Sequence, residues 1–335
     1  MRIVVRRRFA IFGNLGVLPS SGSPRKGEWF AGAYQVEGLL GSGSMADVYA
    51  AIDSCGAPVA LKILHTKAAR EPSVSARFFR EADIAARIQS KYVARVVASG
   101  QDGSGRLWIA FERLIGETLE QRLRRNVVLP VTGIPALISD VLCGLADAHG
   151  ADVVHRDIKP SNLFIEHPLK DEEGERVRIL DFGVSKASAL DGEVTQTNLT
   201  EGGDTIGSHA YMAPEQVSAA AKVDARADLY ALGVVIFQLL AGRVPFGGLL
   251  PLAILSLKTT CTAPTLQDVT NVVWPRALED FVARALTRLP EDRWQSAGEA
   301  LHAWNDVWEM HPESEFPTME PPSSRIEQDE PTGAS

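Results

Sequence analysis

The segment His155–Asn162, followed by Asp181, constrains this chain more than any other part of its sequence. Asp157 stands two residues before Lys159, and the oxygen-bearing side chains of Asn162 and Asp181 come next. A carboxylate can accept a hydroxyl proton, a lysine can neutralise phosphate charge, and amide and carboxylate oxygens are ligands for a hard cation such as Mg²⁺. Phosphoryl transfer needs these groups in this order, so the fold must bring two separate loops to one place.

A glycine-containing loop lies upstream, between two segments with strand character. It contains Gly41-Ser42-Gly43, and glycine there lets backbone N–H groups approach phosphate oxygens without a Cβ in the way. Glycines between two strands are usually only a turn, so this loop is weak evidence by itself. A lysine, Lys62, ends the apolar run that follows the loop.

Taken together, these motifs resemble those of the protein kinases. The run Val59–Lys62 follows the glycine loop at the distance of the kinase pattern. Lys159, two residues after Asp157, resembles the Ser/Thr kinases, and the sequence around it resembles the bacterial, eukaryotic-like (Hanks-type) branch. The resemblance runs from about Tyr34 to Trp308. One position departs from the pattern, because Ala46 stands where the third glycine of the loop is expected.

The resemblance implies an α+β protein kinase fold with two lobes over residues 34–308. We expect a small antiparallel β lobe with one main helix at 34–112 and a larger, mostly helical lobe at 113–308. The hydrophobic pattern agrees, because short β-prone runs separated by glycine give way to helical periodicity beyond Gly116.

The two ends of the chain have a different composition. Residues 1–33 combine arginines, a short apolar run and a Pro/Ser/Gly stretch, which favours a flexible extension or a misplaced start over a targeting sequence. Residues 309–335 are acidic, rich in proline and poor in apolar residues, so we expect a disordered tail.

By the same resemblance, four residues carry the catalytic roles. Asp157 is the base for the substrate hydroxyl, and Lys159 neutralises charge on the transferred γ-phosphoryl group. Lys62 contacts the α- and β-phosphates of ATP and forms an ion pair with Glu81 on the main helix of the small lobe.

The resemblance also implies ATP and Mg²⁺ as cofactors, with Mn²⁺ able to substitute. Asn162 and Asp181 are the expected metal ligands. The expected nucleotide contacts come from the glycine loop, from apolar side chains that sandwich the adenine, and from the junction of the lobes: Gly41, Ser42, Gly43, Val48, Ala60, Lys62, Phe111, Glu112, Leu114 and Leu163. Without the resemblance, the apolar residues of this set could equally well be residues of the hydrophobic core.

The segment Asp181–Glu215 resembles a kinase activation segment, closed by Ala213-Pro214-Glu215. In this family Glu215 is expected to pair with Arg293, and Asp228 is expected to brace the backbone of the catalytic loop. Ser208 replaces the more usual threonine but keeps a hydroxyl that would contact the catalytic loop, which favours hydroxyl-amino-acid substrates.

The activation segment contains hypothetical regulatory phosphosites at Thr195, Thr197, Thr200 and Thr205. Arg156 directly precedes the base, so a phosphothreonine could pair with its guanidinium group and order the segment. The alternative is that these threonines are ordinary polar loop residues.

We therefore expect an ATP-dependent Ser/Thr protein kinase that modifies protein hydroxyls and autophosphorylates its activation segment. A small-molecule phosphotransferase is a weaker alternative, because such enzymes typically lack the Ala-Pro-Glu element. The other alternative is a nucleotide-binding pseudokinase scaffold. Against it, the chain retains every residue whose loss usually marks an inactive kinase: Lys62, Glu81, Asp157, Asn162 and Asp181.

Composition limits the partners and the compartment. The net charge of -8 argues against a general nucleic-acid binder. Cys55, Cys143 and Cys261 lack metal-ligand spacing, and we interpret them as packed thiols in a reducing cytoplasm. No stretch reaches the ~18 consecutive apolar residues that a membrane span requires. We expect a cytoplasmic protein whose partners are protein substrates, with self-association for autophosphorylation left open.

Overall fold

The computed structural model describes residues 24–125, 129–167, 174–182, 208–217, 223–311 and 315–317. The upper lobe contains six strands: β1 (Trp29–Phe30), β2 (Tyr34–Ser42), β3 (Ala46–Asp53), β4 (Pro58–Leu64), β5 (Val96–Gln101) and β6 (Leu107–Glu112). They form one sheet in the order β1-β2-β3-β4-β6-β5, and all neighbours are antiparallel. This is the small β lobe that the sequence predicts.

Two helices connect β4 to β5: a short α1 (Thr66–Ala69) and the main helix α2 (Pro72–Ala85). Proline suits the first turn of α2, because an N–H group there has no partner within the helix. The buried residues of α2 recur at helical spacing: Phe78 and Ala82 pack against β6, and Ala85 packs into the core that the lower lobe shares. Glu81 lies three residues after Phe78 and four before Ala85, so this packing holds Glu81 on the inner side of α2.

The lower lobe is mostly helical. Its helices are α3 (Leu119–Arg125), α4 (Ile134–Gly150), α5 (Pro214–Val217), α6 (Arg226–Ala241), α7 (Pro251–Thr260), α8 (Leu266–Thr270), α9 (Arg276–Ala285) and α10 (Ala297–Met310). Helix α6 is buried on nearly every side, from Ala227 to Leu240, as expected for a helix that is apolar all round. Helix α10 packs against α4, helices α8 and α9 pack against α6, and α4 contacts α6, so α4 and α6 form the centre of the lower lobe.

Helix α4, with the turn before it, is long and apolar enough to cross a membrane by length and composition alone. In this fold it is a core helix, since Ile134, Ile138 and Val141 are 0% exposed. It packs against α10 and against the strand that precedes Asp181. Packing in the lower-lobe core therefore accounts for its apolar composition.

A small second sheet joins the lobes, in the order β7 (Gly116–Thr118), β8 (Leu163–Glu166) and β9 (Arg176–Ile179). The chain enters it at Gly116 with φ 154°, where an added Cβ would lie 1.9 Å from the carbonyl oxygen of Ile165. Only glycine allows this close approach. β8 and β9 carry the catalytic loop on one side and Asp181 on the other, so this sheet brings the two motifs together.

The folded region extends beyond both predicted boundaries. Residues Trp29 and Phe30 pair with β2, and Phe30 is 0% exposed, so the prediction of a flexible extension up to residue 33 is wrong for residues 24–33. At the other end, Phe316 stacks on Trp308 with 4.1 Å between ring centroids, although the tail was expected to begin at 309. Both additions are too short to show a hydrophobic period, so the sequence pattern did not predict them.

Candidate active site

A cleft of about 200 Å³ lies where the two lobes meet. Its lining is mainly apolar and includes the charged pair Lys62 and Asp181, which suits a planar base attached to phosphates. The lining residues are Leu40, Gly41, Val48, Ala60, Lys62, Ala94, Phe111, Glu112, Arg113, Leu114, Thr118, Phe164, Leu180 and Asp181. Eight of them belong to the site that the sequence predicts.

Three charged residues form what we call the phosphate cluster: Lys62, Glu81 and Asp181. The Nζ atom of Lys62, on β4, lies 2.8 Å from Oε1 of Glu81, on α2, and 3.0 Å from Oδ1 of Asp181. Burial alone would lower the pKa of Lys62, but the carboxylates of Asp181 and Glu81 outweigh it and raise that pKa above its ordinary value. Lys62 therefore stays positively charged and is available to bind phosphate oxygens.

Three further residues form the base cluster: Asp157, Lys159 and Asn162. The Nζ atom of Lys159 lies 2.9 Å from Oδ2 of Asp157. The amide nitrogen of Asn162 donates to the carbonyl oxygen of Asp157 at 2.8 Å and to its Oδ2 atom at 3.2 Å. Since the amide nitrogen is used in this way, the Oδ1 atom of Asn162 is the one that can bind a cation.

The backbone of the catalytic loop is held by one carboxylate from α6. Asp228, 1% exposed, accepts hydrogen bonds from the backbone N–H groups of His155 at 2.8 Å and Arg156 at 2.7 Å. Arg156 has φ 65°, a left-handed conformation that costs a non-glycine residue roughly 1–3 kcal/mol. Two hydrogen bonds to an ionised carboxylate offset that cost. The structure thus contains the predicted brace by Asp228.

His155 has a structural role. It is 0% exposed, its ring lies 4.7 Å from the ring of Phe182, and its Nε2 atom contacts the carbonyl oxygen of Leu180 at 2.8 Å. This contact joins the catalytic loop to the residues on either side of Asp181. The phosphate and base clusters are therefore aligned through buried neighbours as well as through the small sheet.

The donor set fits a hard divalent cation that is shared with a nucleotide. Asn162 offers an amide oxygen, and the carboxylate of Asp181 is 45% exposed towards the cleft. Across the ranges that the structure describes, no three His, Cys, Asp or Glu side chains converge as a metal site of their own. Two protein oxygens suit an ion that completes its shell with phosphate oxygens and water.

Comparison with known proteins agrees with this geometry. The sequence model of the family described as "Protein kinase domain" matches residues 34–305. The chain belongs to the protein kinase family. Kinases of this family use ATP and a divalent metal ion, which is the pair of ligands that the two clusters suit.

Several bacterial proteins resemble this kinase. It is 39% identical over 277 residues to serine/threonine-protein kinase pkn3 of Myxococcus xanthus, covering 81% of this chain and 49% of that protein. It is 36% identical over 280 residues to serine/threonine-protein kinase PknJ of Mycobacterium tuberculosis, covering 83% of this chain and 45% of that protein. The chain thus spans about half the length of these two relatives.

A solved structure shows the same architecture. The crystal structure of the Mycobacterium tuberculosis PknI kinase domain matches with a TM-score of 0.64 and 29% identity, covering 85% of this chain and 99% of that chain. This match, with the observed lobes, confirms the predicted two-lobed protein kinase fold. The likeness to bacterial Ser/Thr kinases that the sequence motifs predict is confirmed as well.

One predicted adenine contact of the kinase is wrong. Leu163 is 0% exposed and belongs to the lower-lobe core, whereas its neighbour Phe164 lines the cleft. Successive side chains of a strand point to opposite faces, so Phe164 faces the cleft where Leu163 faces the core. This alternation was readable in the sequence. Phe164, and not Leu163, lies opposite Val48 and Ala60 across the cleft.

We expect Phe164→Ala to raise the KM for ATP by roughly tenfold, because an apolar surface that covers the adenine is lost. Leu163→Ala should instead lower the free energy of unfolding by roughly 2–5 kcal/mol, as for other buried leucines, with little change in that KM. Steady-state kinetics and urea unfolding of both variants would check this. A larger KM effect for Leu163→Ala would restore the original assignment.

The glycine loop of the kinase joins β2 to β3. Gly41 lines the cleft, and Ser42 and Gly43 follow it, with the N–H of Gly43 donating to the carbonyl oxygen of Ala46 at 2.9 Å. The hydroxyl of Ser42 donates to Oδ1 of Asp47 at 2.5 Å. The methyl group of Ala46 packs against the cluster beneath α2, so replacement of the third glycine causes no clash in this conformation.

Sequence reasoning missed a buried arginine behind the adenine site. Arg178, on β9, is 8% exposed and forms ion pairs with Glu112 and with Glu166, the latter at 3.1 Å. It also donates to the carbonyl oxygen of Val93 at 3.0 Å. The backbone near Glu112 is expected to form hydrogen bonds with the adenine edge. Arg178 therefore attaches this part of the backbone to the lower lobe. The sequence of β9 did not indicate that Arg178 would be buried.

We call Ser208–Val217 the docking segment. Its Glu215 forms a two-pronged pair with Arg293, with both N–O distances 2.7 Å, and both side chains are at most 8% exposed. The structure thus contains the predicted pair. Gln216 then links the docking segment to the catalytic loop, because its Nε2 atom donates to the carbonyl oxygen of Arg156 at 2.9 Å.

Some predictions about the activation segment fall on residues that the structure does not describe. Thr195, Thr197, Thr200 and Thr205 lie outside the described residues. The side chain of Ser208 also lies outside them, so its contact with the catalytic loop stays a prediction.

Proposed function

We propose that the chain is an ATP-dependent protein serine/threonine kinase with Mg²⁺ as its metal cofactor, for which Mn²⁺ can substitute. The observation that supports the proposal is the link between the cleft and the base cluster. Lys62 and Asp181 line the cleft, and Leu180, which also lines it, donates its backbone N–H to the carbonyl oxygen of Asn162 at 2.8 Å. The phosphate cluster suits the phosphates of ATP, and the base cluster suits a hydroxyl that attacks them.

In the proposed reaction, the oxygen of a substrate hydroxyl attacks the γ-phosphorus, and the bond from this phosphorus to the β–γ bridging oxygen breaks, which releases ADP. Asp157 orients the hydroxyl and accepts its proton. Lys159 neutralises charge on the transferred group, while Lys62 holds the α- and β-phosphates. A divalent ion held by Asn162 and Asp181 would supply further charge neutralisation at the phosphates.

Two findings support a protein as the substrate. The docking segment is anchored to the catalytic loop through Gln216, so a bound peptide would lie beside Asp157. The relatives are named serine/threonine-protein kinases. Ala46 gives no support to the pseudokinase alternative, because its methyl group packs against a buried cluster of the upper lobe.

We further propose that autophosphorylation orders the activation segment, at Thr195, Thr197, Thr200 or Thr205. Arg156 is held in a fixed backbone conformation next to the base, where its guanidinium group could pair with a phosphothreonine. Phosphopeptide mapping of the active enzyme tests this, and an active enzyme that is unmodified at all four positions would contradict it.

The compartment and partners follow from the reaction. We propose that the kinase acts in the cytoplasm, where ATP is supplied, and that its partners are proteins with accessible Ser or Thr residues, including a second copy of itself. The net charge of -8 gives no support to nucleic acid as a partner.

The function is tested by transfer of radiolabelled phosphate from ATP, with Mg²⁺, to the purified chain and to a generic basic protein. We expect label on phosphoserine and phosphothreonine, and its loss with EDTA and in Lys62→Met. Binding of nucleotide without transfer, even after co-expression with a candidate activator, would favour the scaffold instead.

A further inference from the structure

A buried lysine in the lower lobe has no place in the chemistry described so far. Lys258, on α7, is 2% exposed. Among the described residues, no carboxylate lies within 4.0 Å of its Nζ atom. Burying an ammonium group without an opposite charge is costly, so its surroundings must compensate in another way.

The compensation comes from the docking segment. The Nζ atom of Lys258 donates hydrogen bonds to the carbonyl oxygens of Ala210 and Met212, the latter at 2.7 Å. The same atom lies 5.2 Å from the ring centroid of Tyr230, on α6, which supplies a cation–π contact. Two carbonyls and an aromatic face therefore take the place of a carboxylate.

The ring of Tyr230 connects this lysine to the other anchor of the docking segment. The guanidinium carbon of Arg293 lies 4.9 Å from the same ring centroid, and Arg293 holds Glu215. Lys258 thus fixes the first half of the docking segment, at Ala210 and Met212, while Arg293 fixes its second half.

We propose that Lys258 is a positioning residue for protein substrates, which holds the backbone of residues 210–212 in the shape that a peptide beside Asp157 requires. This inference rests on the proposed function. Tyr211 lies between the two carbonyls, and its hydroxyl donates to Oε1 of Gln238 at 2.6 Å, so the backbone and the side chain of this turn are held from different sides.

The first test is the kinetics of Lys258→Met in the full chain, with a generic basic protein as substrate. We expect the KM for that protein to rise by roughly tenfold, the effect of two lost hydrogen bonds, with the KM for ATP unchanged within about twofold. Lys258→Arg retains the donors and should recover much of the loss. Lys67→Met makes the same chemical change at an exposed position of α1 and should leave both constants unchanged.

A second readout needs no activity. Hydrogen–deuterium exchange of the backbone in 208–217 should become faster in Lys258→Met, whereas exchange in α6 should not. Unchanged exchange together with an unchanged KM for the protein would overturn the inference, as would a loss that affects both substrates equally. If the wild-type chain transferred no phosphate, the proposed function would fail, and the exchange measurement would still test the positioning role.

The pH dependence of protein stability gives an independent check that Lys258 is buried. Burial lowers the pKa of Lys258 to about 7, whereas an unfolded lysine keeps its proton to about pH 10.4. Between these values the unfolded state binds more protons, so stability rises with pH. The unfolding constant of the wild type, relative to Lys258→Met, should fall by up to about tenfold per pH unit in this window.

Other titratable groups lie on α6 and on the docking segment near Lys258. They are present in the wild type and in Lys258→Met alike, so they cancel when the two unfolding constants are compared. Burial raises the pKa of Tyr230, on α6, and that of Tyr211, in the docking segment. Glu215 on α5 is paired with Arg293, and His209 in the turn is buried. If the ratio of the unfolding constants of the wild type and Lys258→Met did not change with pH, Lys258 would not be buried as described.

Discussion

Replacing Asp157 with asparagine should lower kcat for phosphoryl transfer by roughly 10²–10⁴-fold, the usual contribution of a general base. The reason lies in the base cluster, where Oδ2 of Asp157 receives hydrogen bonds from Lys159 and Asn162 and is placed to accept a proton. An amide keeps the shape but cannot take up that proton. Nucleotide affinity should change by less than about threefold, since Lys62 and the adenine contacts remain. Transfer assays and nucleotide titration would measure both quantities.

The chain offers a matched control for this experiment. Asp152 is exposed, lies five residues before the base, and has φ 57°, a conformation that asparagine tolerates well. Asp152→Asn makes the same change in charge and should leave kcat unaltered. Equal losses in the two variants would show that general electrostatics, and not proton transfer at Asp157, sets the rate.

Breaking the pair between Glu215 and Arg293 should cost the kinase roughly 3–5 kcal/mol of unfolding free energy, because one buried charge would be left without a partner. Arg293 is 0% exposed, and it also donates to the carbonyl oxygens of Thr287, Arg288 and Arg226. Arg293→Met therefore removes several hydrogen bonds together with the charge. Urea unfolding monitored by tryptophan fluorescence would measure the loss.

The control is a second arginine–carboxylate pair on the surface. Arg276 and Asp280 lie 3.5 Å apart, with side chains that are 94% and 69% exposed. Arg276→Met should change stability by less than about 0.5 kcal/mol. The double variant Arg293→Met with Glu215→Leu should recover part of the loss, because no charge is then left buried. A double variant as unstable as the sum of its single changes would contradict this account.

Short motifs predicted the lobes and most of the site, because each motif is a local run with a fixed spacing. Lys62 and Asp157 could be placed in this way, although more than ninety residues separate them in the chain. The prediction of Leu163 as an adenine contact was wrong by one residue. An apolar side chain was expected there correctly, but a strand exposes alternate residues to one face, and Phe164 is the one that lines the cleft. The strand at Trp29 is too short for any period to show.

Residues that act through distant neighbours were not readable in the sequence. Lys258 stands near the end of its helix, just before Thr259 and Thr260, and a lone lysine in such a position is usually interpreted as a solvated charge. Its partners Ala210 and Met212 are brought to it only by the packing of α7 against the docking segment, and the ring of Tyr230 reaches it from α6. Arg178 escaped notice for the same reason, because Glu112 comes from the other lobe.

Through Asp228, the backbone geometry of the catalytic loop depends on α6, which is buried along most of its length. The peptide groups of His155 and Arg156 take a shape that they would not hold alone, and that shape is maintained from α6. Sequence variation in α6 is therefore restricted twice, by the volume of the core and by the alignment of reacting atoms. Variation around the adenine is restricted by ligand affinity and by local contacts such as the pair of Glu112 and Arg178, but not by the alignment of reacting atoms. Turnover and nucleotide affinity can thus diverge separately as such sequences change.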